Sequence, residues 1–162
     1  MATLVTLGLS KILGKAGEPT AGDFAEEGYT PFGLTYEDTC KMSQDDPVEI
    51  TEKQGKITFA FSIMNPDITT LTRLFGGTVA SDVYAYPDTV NTVEESVIIK
   101  PRKGLMFQVP RMKLVSKING DFSKKGLLLI EVTGTVLKPQ TTGLKKMYVK
   151  KIAAASNSNS GS

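Results

Sequence analysis

No histidine or tryptophan occurs in this 162-residue chain, and cysteine occurs once, at Cys40. Histidine is the usual general base near neutral pH and the commonest transition-metal ligand. Its absence removes the ordinary agent of acid–base, nucleophile-activating and zinc chemistry. Carboxylate-only and lysine-based mechanisms survive that exclusion. A single cysteine forms no intramolecular disulfide and no multi-cysteine metal site. Lacking a histidine partner and a flanking motif, Cys40 reads as a small buried hydrophobe and not as a nucleophile. No apolar run approaches the roughly 18 residues of a membrane-spanning helix, so membrane insertion is not expected. In MATLVTLGLSKILGKAG the lysines follow the apolar stretch, whereas a secretion signal carries its charge ahead of it. The segment is expected to belong to the mature protein.

Nucleotide-binding fingerprints are missing as well. Gly76-Gly77 has no following lysine and comes after a helical pattern instead of before one, which makes it a helix exit. The carboxylate pairs Glu26-Glu27, Asp45-Asp46 and Glu94-Glu95 resemble calcium or glycosidase pairs only in composition. Neighbours on a strand point to opposite faces, and these pairs lie beside turns, so solvated surface is the simpler reading. Asp121, after Asn119-Gly120, lacks the spaced oxygen ligands of a calcium loop and reads as part of a turn. No catalytic, cofactor or metal site is expected.

The composition that remains, 40% hydrophobic and 22% charged, is that of one soluble domain with a real core. Its clearest stretch is KITFAFSIMNPDITTLTRLFGGTV, Lys56 to Val79. Ile57, Phe59, Phe61 and Ile63 share one face at period two, with Thr58, Ala60 and Ser62 on the other, the pattern of a half-buried antiparallel strand. Asn65-Pro66-Asp67 then starts a helix of about residues 65–75, with Asn65 as N-cap, Pro66 in the first helical position and Asp67 at the positive end. Ile68, Leu71, Leu74 and Phe75 form its apolar stripe, and Gly76-Gly77 end it.

Around this segment the chain reads almost entirely as strands. Leu4 to Leu9 suggests a short strand or arm, and Ser10 to Gly28, rich in Gly, Glu, Ala and Pro, a loop. Phe32, Leu34 and Tyr36 alternate, Asp45-Asp46-Pro47 marks a turn, and Val48 and Ile50 alternate after it, so an acidic hairpin is expected over Pro31 to Glu52. Val79 to Tyr86 and Val93 to Lys100 are strands. Leu105, Phe107 and Val109 define one face, yet beyond Pro110 the apolar positions become Met112 and Leu114. That parity change calls for a β-bulge or bend at Pro110. Asn119-Gly120-Asp121 is a turn, and Leu128, Ile130, Val132 and Val136 share a face of a long strand containing Gly134. Gly143 to Ile152 is the last strand, followed by the flexible tail AAASNSNSGS. The expected fold is mainly β, an antiparallel β-sandwich or partly closed barrel with one short helix. The expected division is an arm and loop over 1–28, the β domain over 29–152 and a tail over 153–162.

Charge is segregated beneath the small net value of +2. Residues 1–99 hold six basic and 15 acidic side chains, a net of −9, and residues 100–162 hold 13 basic and two acidic, a net of +11. Two readings stay open. Either the fold interleaves the halves and the charges mix, or the subunit is dipolar and its acidic surface meets the basic surface of a neighbour in head-to-tail contacts. The basic cluster Lys100, Arg102, Lys103, Arg111 and Lys113 also fits phosphate neutralisation. Stacking aromatics are sparse beside it, so subunit pairing is preferred.

The order strand, helix, LFGGTV, strand, carried by IMNPDITTLTRLFGGTV and the strands after it, resembles the tail tube (major tail) proteins of bacteriophages and their relatives in contractile injection systems. The resemblance covers roughly residues 28–152. It implies a non-enzymatic virion protein without cofactors that forms hexameric rings stacked into a tube. Such subunits meet other tail proteins, assemble in the host bacterial cytoplasm, and let DNA pass through the lumen. The acidic hairpin matches the position of the family's stacking loop. With the charge split, this makes Asp45, Asp46 and Glu49, and Lys145, Lys146 and Lys150 on the last strand, the candidates for inter-ring or inter-subunit contact. The competing expectations are a non-catalytic β-sandwich module binding carbohydrate or a protein ligand, and a carboxylate enzyme on the same scaffold. Missing tryptophan weighs against a sugar platform, and missing histidine against the enzyme.

Overall fold

The computed structural model describes residues 9–33, 35–44, 56–89 and 93–152. Its elements run β1 (Leu9–Ala16), β2 (Thr30–Pro31), β3 (Thr35–Gln44), β4 (Ile57–Met64), α1 (Ile68–Phe75), β5 (Thr78–Ala80), β6 (Val83–Ala85), β7 (Val93–Pro101), β8 (Leu105–Gly120), β9 (Leu128–Val136) and β10 (Tyr148–Lys151). Eight strands make one sheet in the order β2-β1-β7-β8-β9-β4-β3, with β10 also paired to β8, and β5-β6 form a separate hairpin. All of these pairs are antiparallel. The sheet curls into a half-barrel, so the chain is mainly β with one helix, as its sequence pattern predicts. The curl brings β1 close to β3, from near opposite ends of the strand order.

The core fills the inside of the curl. Phe59, Phe61 and Ile63 of β4 meet Val97 and Ile99 of β7, Val109, Met112 and Leu114 of β8, and Ile130 and Val132 of β9. Helix α1 closes over them with Leu74 and Phe75 buried, while Leu71 packs at the margin and Ile68 is only half-buried. The stripe is thus displaced toward the C-terminal end of the helix, and Thr70 is buried beside it, its hydroxyl donating to the Phe32 carbonyl.

The parity change in β8 is a bulge. Glu95 pairs with Met112 but Val97 with Val109, so Pro110 and Arg111 together oppose Ser96. Proline, with no N–H to offer the ladder, fits such a position. Past the bulge β8 gives its other edge from β10 (Leu105–Gln108) to β9 (Met112–Gly120).

Several local expectations are corrected. Residues 9–16, read as the end of an arm and a loop, form β1, which pairs along β7. The alternation fails there because this strand is covered on both sides: Ile12 enters the main core, whereas Leu13 joins Ile98 and Met106 in a second cluster under Phe24, Tyr29 and Ile152. The helix begins two residues later than expected. Asn65 has φ +48° and closes β4, its N–H bonded to the Leu128 carbonyl, and Asp67 is the N-cap, accepting from the Thr70 N–H at 2.8 Å. Gly76 ends the helix at φ +81°, as expected. Val79–Tyr86 is not one strand but the β5-β6 hairpin, because Ser81 and Asp82 take positive φ and reverse the chain. Asn119-Gly120 belongs to β8, and the reversal lies at 121–127, where Asp121 N–H bonds to Leu127 O. The last strand starts at Tyr148, not Gly143. Within the expected acidic hairpin, β3 pairs with β4, and residues 45–55 lie outside the described ones.

Candidate functional site

The titratable groups inside the fold are tied into structure. Burial pushes the thiol of the half-buried Cys40 up to about 12, which keeps it protonated near neutral pH. The adjacent Glu94 and Glu95 point to different sides of β7, and each meets its own arginine. Glu94 pairs with Arg111 at 2.9 Å on the surface, and Glu95, 7% exposed, with Arg73 at 2.8 Å. Glu26 holds Lys11 at 2.8 Å and Lys100 at 3.7 Å. The Lys11 bond is the chief cause that keeps the Glu26 carboxyl below its ordinary range. Among the described residues no cluster of three or more His, Cys, Asp or Glu side chains is placed to hold a metal. No helix among them is long and apolar enough to cross a membrane.

Arg73 is the most connected of these groups. From α1 it grips Glu95 of β7 through Nε (3.1 Å) and Nη2 (2.8 Å). It also donates to the carbonyls of Gly14 (2.8 Å), Thr30 (3.1 Å) and Pro31 (3.0 Å), and lies 3.9 Å from the Phe32 ring centroid. One guanidinium therefore joins the helix to β1, β2 and β7 beside the place where the curled sheet nearly closes. The fork geometry of arginine makes this possible, since its donors point in several fixed directions. Gly14 leaves room for this node: a Cβ there would lie 2.6 Å from Glu95 Oε1 and from the Phe32 ring, so those side chains would have to shift. An open groove of about 700 Å³ runs along this junction, but its arginine is already spent on the fold.

A second cavity of about 430 Å³ lies between Gly17-Glu18, Glu94-Glu95, Pro110-Arg111 and Gln140-Thr141. The Glu18 carboxylate accepts from the N–H groups of Gln140 and Thr141, both at 2.8 Å, which together with the Thr141 side chain hold its carboxyl below the ordinary range. Arg111 donates to the Lys138 carbonyl at 3.1 Å while holding Glu94. The charged groups that wall the cavity are engaged, Glu94 with Arg111, Glu95 with Arg73 and Glu18 with backbone N–H groups.

These contacts bear on the charge segregation. The Lys100–Glu26 and Arg111–Glu94 ion pairs join the acidic half to the basic half inside one subunit, whereas Glu18 is tied to the backbone N–H groups of 140 and 141. Part of the segregation is thereby neutralised within the chain. The cluster read as a possible phosphate surface is broken up, with Lys100 and Arg111 both engaged.

What remains is on the outside. Val115, Ile118 and Phe122 stand exposed at the far end of β8 and its turn, with Phe122 at 95%. Val79, Val83 and Tyr86 are exposed on and just after the β5-β6 hairpin, and Leu105 and Val149 where β8 meets β10. Of the expected contact residues, Asp45, Asp46 and Glu49 lie outside the described residues. Lys145 and Lys146 are exposed in the loop before β10, and Lys150 is on β10 with its ammonium 5.9 Å from the Phe24 ring. The structure does not bring these lysines to an acidic partner of the same subunit in any contact described. Sequence reading missed Phe122; a lone aromatic amid Asn-Gly-Asp and Ser-Lys-Lys was its only signal.

No family model matches the chain, and no curated protein matches it.

Proposed function

We propose that the chain is a structural subunit that assembles with copies of itself into hexameric rings, stacked as the tail tube of a bacteriophage. The observation that carries this reading is the placement of exposed apolar side chains in several separate places: the β8-β9 tip, the β5-β6 hairpin and the β8-β10 end, with Met42 exposed on β3 as well. A single pairwise interface needs one patch. A stacked ring needs lateral and axial contacts, hence several patches on different sides of each subunit. Support also comes from the resemblance of IMNPDITTLTRLFGGTV and the strands after it to tube proteins, and from the commitment of Glu95, Arg73, Glu94 and Arg111 to ion pairs that hold the fold. On this reading the protein acts without chemistry or cofactor, as the wall of a conduit for DNA in the virion, and its partners are further copies and other tail proteins.

Negative-stain electron microscopy of the concentrated protein, with sedimentation velocity across a concentration series, tests the proposal. Rings of sixfold symmetry or tubes are expected. A protein that sediments as a monomer at every concentration, also when seeded with tail tips, overturns it.

A further inference from the structure

We propose that the tip of the β8-β9 hairpin of one copy docks on the β5-β6 hairpin of a second copy, with Phe122 as the anchor. This rests on the self-assembly reading and names one contact that would carry it.

The tip combines a bare aromatic with positive charge. Phe122 is 95% exposed, Ile118 on the same arm is 42% exposed, and Lys124 and Lys125 follow in the turn. Lys117 is 72% exposed and only loosely held by Glu131 at 3.9 Å. The β5-β6 hairpin is its complement. Val83 and Tyr86 are 66% and 54% exposed, Asp82 stands at the turn and Asp88 just beyond, and residues 74–89 contain no lysine or arginine. Apolar surface thus faces apolar surface with opposite charge at the rim, the arrangement that fixes partner and orientation.

The receiving side is also preorganised. Tyr86 packs on Phe75 with ring centroids 5.6 Å apart and lies edge-on to Tyr84 at 6.5 Å, and the Tyr84 hydroxyl donates to the Gly76 carbonyl at 2.6 Å. An aromatic surface fixed in this way loses little freedom when a further ring joins it. Both patches are exposed in the same subunit, so neither covers the other within it. Made in one direction only, so that each copy offers its tip to one neighbour and its hairpin to another, the contact is heterologous, the kind that closes into rings or propagates along a stack.

The test measures self-association of the full chain by sedimentation velocity at fixed salt. Phe122→Ser should weaken association about tenfold or more, as expected for a central aromatic anchor. At dilutions where both proteins are monomeric its melting temperature should match the wild type, because the side chain touches almost nothing in the subunit. Lys124→Glu with Lys125→Glu, and separately Asp88→Lys, should each weaken association, and mixing the two reversed proteins should restore it. Wild-type association that Phe122→Ser leaves unchanged, or reversals without rescue on mixing, overturn this contact and leave self-assembly standing. A wild-type protein that stays monomeric overturns both readings. Binding of monomeric protein to anionic lipid vesicles or to DNA that is lost in Phe122→Ser overturns the contact and gives the tip to another partner.

Discussion

Replacing Arg73 by alanine should be the most destabilising single change on the outer layer of this fold. The mutation strands the Glu95 carboxylate, whose side chain is 7% exposed, and removes donors from three carbonyls on β1 and β2 and the guanidinium over Phe32. Breaking a buried ion pair from one side costs about 3–5 kcal/mol. Arg73 keeps 20% of its side-chain surface, which favours the lower end. A loss of about 3 kcal/mol lowers the melting temperature of a domain this size by roughly 6–12 °C. Arg73→Lys should recover only part of it, since an ammonium cannot grip Glu95 through two parallel bonds while reaching Gly14, Thr30 and Pro31. Gly14→Ala approaches the same node from the strand side. Its new Cβ, 2.6 Å from Glu95 Oε1 and 2.9 Å from Arg73 Nη2, must push the pair apart. Urea denaturation followed by circular dichroism gives both values. A loss below about 1 kcal/mol in Arg73→Ala, with an unchanged denaturant slope, would show that the node is not what fastens the helix to the sheet.

Leu74→Ala should cost about 2–5 kcal/mol and Leu71→Ala clearly less, because Leu74 is buried and Leu71 is at the margin of the core; equal losses in urea melts would contradict this packing of α1. Acid should destabilise the protein. Glu18, held down chiefly by the Gln140 N–H, Glu26, held down chiefly by Lys11, and Asp67, held down chiefly by the Thr70 N–H, lie below their ordinary values of 4.5, 4.5 and 3.8. The unfolded chain therefore takes up protons first. Their contribution is complete above those ordinary values and is lost as pH falls through them toward the depressed folded values. A urea midpoint that rises on acidification through this window would refute the assignment. Cys40, pushed up to about 12, should react with iodoacetamide at pH 8 far more slowly in native protein than in urea, and equal rates would show that the thiol is not buried.

Local patterns with one dominant cause were legible in the residues themselves. Alternation of Ile57, Phe59, Phe61 and Ile63 gives β4 because one face is buried and the other is not, and Gly76 ends α1 because its backbone must turn to positive φ. The switch from Phe107 and Val109 to Met112 and Leu114 marks a bulge or bend at Pro110, since period two cannot continue through it, and the structure makes it a bulge. The mainly β class follows from the same patterns. Where a segment is covered on both sides, as β1 is by the main core and by Phe24 and Tyr29, periodicity vanishes and the strand cannot be seen. The Asp67 cap and the reversal at Ser81-Asp82 depend on which of several competent residues meets its partner, and only the fold selects one. The candidate surface was less legible still. Charge counts along the chain could not show that Glu26 and Glu94 pair with basic side chains of the other half, that Glu18 is held by backbone N–H groups, or that Phe122 stands bare between lysines. Pairing and exposure are decided by which strands the curled sheet makes neighbours, and that is a property of the tertiary structure alone.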